Sequence, residues 1–187
     1  KKLFEELGYT NVTLSNYVNN ISEKKTDYLN LLMQNIKLSD NSYEYCVAHA
    51  CVHHSSKPHN SILEMYRVAS KGVLVMEAND CLLTRIACKF KLAEEYELSA
   101  VKANGNHGGV DNTSVPNYVY RWTEREIMKL LKSFKPNITH DVKFNYSHDI
   151  KHSNNKLIKI LFKIFFQIFK KQQNLLSIYI KVPNEAS

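Results

Sequence analysis

Five side chains able to bind metals or move protons fall within eleven positions of AHACVHHSSKPH, residues 48–59: His49, Cys51, His53, His54 and His59. Four of the chain's eight histidines lie in this stretch. Imidazole and thiolate are the groups that hold zinc. A thiolate beside an imidazole is a nucleophile with its base. An imidazole alone exchanges a proton near neutrality. Spacing speaks against the first two chemistries. In an extended strand, residues 49, 51 and 53 share one face and His54 points the other way. A closed zinc site would need a further ligand from elsewhere, and none stands at zinc-finger spacing, so no metal is expected. Cys51 and His53 would be strand neighbours, whereas nucleophile and base usually come from distant segments. The plainer expectation is a buried strand with histidines at its carboxyl end.

The elements that would hold this stretch are legible on both sides. Asp40-Asn41-Ser42 has turn chemistry, and Tyr43–Val52 is aromatic, β-branched and small, as in a buried strand. SILEMYRVAS (61–70) has helical spacing with Gly72 as its stop, and VLVMEA (73–78) reads as a parallel-type strand. Asp80 is a plausible N-cap for the helix in DCLLTRIACKF. Upstream, residues 1–7 predict a helix stopped by Gly8, 11–16 a strand, and 17–38 a short helix followed by a strand. Downstream, 98–122 lacks periodicity and contains three of the five glycines, so it reads as a loop or lid. TERE (123–126) is a capping box, 140–148 alternates like a strand, and 175–182 is a closing strand. Residues 155–171 predict a basic amphipathic helix with Lys156, Lys159, Lys163, Gln167 and Lys170 on one face. Strand and helix in alternation predict one α/β domain over 1–187 with a mostly parallel sheet.

Composition narrows the function classes. The 187 residues are 44% hydrophobic and 23% charged, enough for a packed core. A net charge of +7 permits an anionic partner without choosing one. Residues 155–171 fit an anionic membrane surface as well as a packed helix, but are too short and lysine-laced to span a bilayer. No recognised nucleic-acid module is present, so no specific nucleic acid is expected. Glycines stand at 8, 72, 105, 108 and 109, never with one residue between them. That excludes a dinucleotide fingerprint and a P-loop. The four cysteines form no C-x-x-C pair and lie in apolar surroundings, which predicts reduced, mostly buried thiols in a cytoplasmic protein. The first residues are neither a signal nor a transit peptide and read as the inside of a helix, as in a truncated chain.

DNSYEYCV (40–47), VHH (52–54), EMYRV (64–68), SKG (70–72) and VLVMEA (73–78) together resemble the class I S-adenosylmethionine-dependent methyltransferases, in particular the type 11 methyltransferase domain. The resemblance is specific over about forty residues and looser on both sides. It implies a Rossmann-like methyltransferase sandwich: a mostly parallel sheet with an antiparallel C-terminal strand, here lacking strand one and its glycine-rich turn. S-adenosylmethionine would lie over the carboxyl ends of the strands. Asn16 takes the place of the acidic residue that usually holds the ribose. Leu32 or Met33 stands where an aspartate usually meets the adenine amine. His49 and Ala50 become cofactor-side contacts. His53 and His54 become pocket residues, either bases or walls. The implied activity is methyl transfer to a small-molecule acceptor. The altered positions leave two alternatives: a non-catalytic methyltransferase-like module without cofactor, and a methyltransferase attached peripherally to membrane.

Overall fold

The computed structural model describes residues 1–17, 28–103, 105, 107–148, 160 and 164–183. Its strands are β1 (Leu14–Asn16), β2 (Tyr28–Asn30), β3 (Tyr43–His49), β4 (Ala69–Ala78), β5 (Val142–Ser147) and β6 (Leu175–Lys181). Its helices are α1 (Lys2–Glu6), α2 (Pro58–Val68), α3 (Leu82–Lys89), α4 (Leu98–Ala103) and α5 (Glu124–Phe134). β1 and β2 form a two-stranded parallel sheet. The other four form a sheet in the order β3-β4-β6-β5. β3 and β4 run parallel, whereas β6 is antiparallel to both of its neighbours. Among the described residues no strand joins β1 to β3.

β4 is central because its composition suits burial on both edges. Val73, Val75 and Glu77 alternate onto one face and stand opposite Ile180, Ile178 and Leu176 of β6. All but Glu77 are fully buried, and Glu77 is 2% exposed. α2 and α5 join the same core through Ile62, Met65, Tyr66, Ile127 and Leu131, and Tyr66 meets Phe134 edge to face at 6.2 Å. Each such buried aliphatic side chain contributes about 1.5–3 kcal/mol. The capping box at TERE is half realised: the Thr123 hydroxyl accepts the Glu126 N–H, while the Glu126 carboxylate is used elsewhere.

Several sequence expectations need correction. β4 begins at Ala69, directly after α2, so Gly72 lies inside a strand and stops no helix. Its reason is packing: a Cβ there would sit 2.8 Å from the Tyr179 ring. The N-cap of α3 is Cys81, supported reciprocally by Thr84, and Asp80 instead pairs with Arg85 at 2.6 Å. β3 is not buried throughout, since Tyr45 and Val47 are exposed on it. Only Cys81 of the four free cysteines is buried. Residues 98–122 carry α4 and a 3-10 turn at Val110–Asn112 rather than pure loop.

The helix expected at 17–27 and most of the basic face, including Lys156, Lys159 and Lys163, lie outside the described residues. Within 155–171 the chain is helical at 160 and 164–168, and Ile160, Ile164 and Ile168 are exposed there. No described helix is long and apolar enough to cross a membrane.

Candidate functional site

The chain leaves β3 through a left-handed residue. Ala50 has φ 47°, a conformation that L side chains rarely adopt, and its N–H is held by the Met76 carbonyl at 2.9 Å. This sharp exit turns the next peptides toward Glu77. The Cys51 and Val52 N–H groups donate to Glu77 Oε1 at 2.8 and 2.7 Å. The other oxygen, Oε2, lies 2.5 Å from His53 Nδ1. A carboxylate with no exposed side-chain surface is thus satisfied by three donors. The bond fixes the His53 tautomer as well: Nδ1 carries the proton facing Glu77, and Nε2 faces away.

His53 and His54 occupy a 3-10 turn, Val52–His54, rather than a continuing strand. In a turn their rings no longer oppose each other. The centroids are 4.5 Å apart. Both Nε2 atoms converge on Glu97: His53 Nε2 is 3.5 Å from Oε1, and His54 Nε2 is 3.5 Å from Oε2. Burial works against a charge on His53, but the Glu77 hydrogen bond and the Glu77 and Glu97 charges win and raise its pKa. Burial and the neighbouring His53 lower that of His54.

Glu97 belongs to a short extended segment. Tyr96 bridges Tyr118 in antiparallel fashion, and the Glu97 N–H donates to the Asn117 carbonyl at 3.0 Å. Residues directly opposite in such a pair share a face. Asn117 therefore lies on the Glu97 side, away from the exposed rings of Tyr96 and Tyr118. Its side chain is fully buried, yet neither amide atom has a hydrogen-bond partner among the described residues. The 3-10 turn at Val110–Asn112 is fastened over the same region. Gln34 donates to Asp111 Oδ1 at 2.9 Å and to Ser56 Oγ at 3.0 Å, and accepts from Ser55 Oγ at 2.8 Å.

Two members of the opening cluster fall elsewhere. His59 begins α2 and contacts Glu126 of α5 at 2.8 Å, beside Tyr120 and Trp122, so it ties α2 to the loop before α5. Cys51 is a poor nucleophile, because burial and then Glu77 push its pKa up to about 11.

The residues matched to cofactor contacts occupy two strand ends. Asn16 closes β1, with its Oδ1 accepting the Tyr17 N–H at 2.9 Å and its backbone carbonyl accepting from Leu31. Leu32 and Met33 follow β2 at the same end of the small sheet, and Met33 packs partly against the core. His49 and Ala50 are exposed at the end of β3. Asn16 thus presents an amide, and residues 31–33 a partly apolar surface, at one end of the small sheet. No glycine follows a described strand into a helix. Glu77, Glu97 and Asn117 escaped the sequence reading. The available signal was Glu77 itself, a lone carboxylate inside an apolar strand that had to have partners.

Residues 4–76 match the model of the methyltransferase domain family. No curated protein sequence matches the chain. Among solved structures, a plantazolicin methyltransferase in complex with a triazolic desmethyl analogue and S-adenosylhomocysteine aligns with TM-score 0.51 and 12% identity, over 98% of this chain and 73% of its own. A methyltransferase from Methanosarcina mazei gives TM-score 0.47 and 14% identity, over 84% and 67%. One from Thermotoga maritima gives TM-score 0.45 and 13% identity, over 83% of this chain and 64% of its own, so the chain spans under two thirds of that protein's length. Residues 4–76 are thus similar to the methyltransferase domain family, and the chain has a methyltransferase-like α/β fold.

Proposed function

We propose that the chain serves S-adenosylmethionine-dependent methyl transfer to a small-molecule acceptor held at the carboxyl ends of β3 and β4. The observation that carries this reading is the polar cluster there: His53, locked by buried Glu77, turns its other ring nitrogen to Glu97 at 3.5 Å. Open α/β sheets bind ligands at this end of their strands. The plantazolicin enzyme, similar in fold, was solved with an acceptor analogue and the demethylated cofactor. When bound, the cofactor supplies a methyl group on a sulfonium: the acceptor's lone pair takes the carbon, and the carbon–sulfur electrons stay on sulfur.

The chain's own residues then have defined tasks. Asn16 Nδ2 donates to a ribose hydroxyl, and Leu32 and Met33 offer apolar contact to the adenine. His49 and Ala50 border the path between the two strand ends. His53, His54, Glu97 and Asn117 orient the acceptor, and the fastened 110–112 turn keeps water from it. Positioning and water exclusion are major sources of rate in such transfers.

A second reading is a methyltransferase-like module that binds no cofactor. The specific observation favouring it is the placement of the five glycines, none at a strand-to-helix turn. Calorimetric titration of the folded chain with S-adenosylmethionine and S-adenosylhomocysteine separates the two. Saturable heat that falls in Asn16→Ala supports the enzyme. A folded sample giving no heat with either ligand supports the module.

A further inference from the structure

We propose that His53, His54 and Glu97 form a site for a zinc-class divalent metal ion. The three ligand atoms lie within 4.8 Å of one another. Two atoms bound tetrahedrally at zinc–nitrogen and zinc–oxygen lengths stand about 3.3 Å apart. His53 Nε2 stands 3.5 Å from Glu97 Oε1 and His54 Nε2 stands 3.5 Å from Oε2, so whichever oxygen serves as the ligand is already near that distance from one imidazole. With Nδ1–H facing Glu77, Nε2 is the ring nitrogen turned toward the Glu97 carboxylate, and a metal ion there takes the place of a proton between the two.

An independent feature supports the site. Ligating histidines usually donate their other ring N–H to a carboxylate, which fixes the ring and strengthens the ligand. His53 has this arrangement in full, with Glu77 buried and itself held by two backbone N–H groups. Two imidazoles and one carboxylate leave one tetrahedral position open, as catalytic zinc sites do. Asn117 shares the Glu97 face, and its buried amide has no hydrogen-bond partner among the described residues. The site's role, unlike its existence, rests on the methyl-transfer reading. The open position would take an acceptor hydroxyl: the O–H bond would break with its proton passing to solvent, and the oxygen's electron pair would form the new carbon–oxygen bond as the methyl donor's carbon–sulfur bond breaks with its electrons left on sulfur.

The test uses the full chain after chelator treatment, titrated with cobalt(II) and, separately, with zinc(II). One equivalent should bind, with the visible bands of a four-coordinate cobalt centre and a raised melting temperature. Glu97→Gln and His54→Ala should each weaken binding at least tenfold while leaving the metal-free melting temperature near that of the parent, since both side chains are partly exposed. Glu77→Gln should weaken it by about 10- to 100-fold. His59→Gln, in the other histidine–carboxylate cluster, should leave it unchanged. Absence of stoichiometric binding, or affinity in Glu97→Gln and His54→Ala equal to the parent's, would overturn the site. Metal binding without any heat from S-adenosylmethionine would leave the site standing and defeat only its role in methyl transfer.

Discussion

Glu77 shows how one residue sets the geometry of its neighbours. A buried carboxylate needs several donors, and the Cys51 and Val52 N–H groups and the His53 ring supply them. Glu77→Gln replaces the acceptor of three bonds with an amide that must place one donor against donors. The expected loss is about 2–3 kcal/mol in denaturant unfolding. Ala50 makes the converse case. Its φ of 47° is easier for glycine, so Ala50→Gly should stabilise by about 0.5–1 kcal/mol and a β-branched Ala50→Val should destabilise. If valine were tolerated as well as glycine at equilibrium unfolding, the sharp exit from β3 would not be needed to present His53. At this scale the sequence was informative about residue types and misleading about direction. Alternation along a strand set His54 against His53, but the strand ends at His49 and the two rings converge from a turn.

At the scale of elements, Arg67 joins α2 to the segment before β3. Its guanidinium donates to the Ile36 and Leu38 carbonyls at 2.8 Å, to Asp40 at 2.7 Å and to both Glu64 oxygens, while Glu64 also accepts the Ile36 N–H. These bonds fix the loop that carries Leu32, Met33 and Gln34 past the site. Arg67→Ala should cost about 2–3 kcal/mol, since two carboxylates and two carbonyls lose the Arg67 donor. The Arg67 hydrogen bonds hold the Glu64 pKa below its ordinary value. This contribution is therefore complete above the unfolded carboxyl pKa of about 4.3 and is lost as the pH falls through the lower folded value. Acid unfolding curves should show that loss in the parent and a shallower acid limb in Arg67→Ala. The Glu-x-x-Arg spacing was visible in EMYRV as helical neighbours. Its partners at 36, 38 and 40 were not, because no local pattern specifies which loop crosses a helix end.

For the whole molecule, the division into two sheets has a consequence. The outer edge of β3 pairs with no described strand, and Tyr45 and Val47 on it are 42% and 41% exposed. Unpaired apolar edges favour association between chains. Val47→Lys should reduce self-association in analytical ultracentrifugation while changing stability by no more than about 0.5 kcal/mol. An unaltered association constant would show that this edge is not the contact.

The sequence by itself determined the α/β class, the strands at 43–49, 69–78, 142–147 and 175–181 within a few residues, and the family that the first part of the chain resembles. These follow from local periodicity and turn chemistry, and from motif spacing that survives without a three-dimensional frame. Only the tertiary structure decided the site. Glu97 stands 43 positions from His54 in sequence and meets it because residues 95–97 pair with 117–119 over the end of β3. Asn117 acquires its face from the same pairing. Such contacts are set by the packing of distant segments, where one residue's neighbours depend on every element between them, and periodicity along the chain does not encode them.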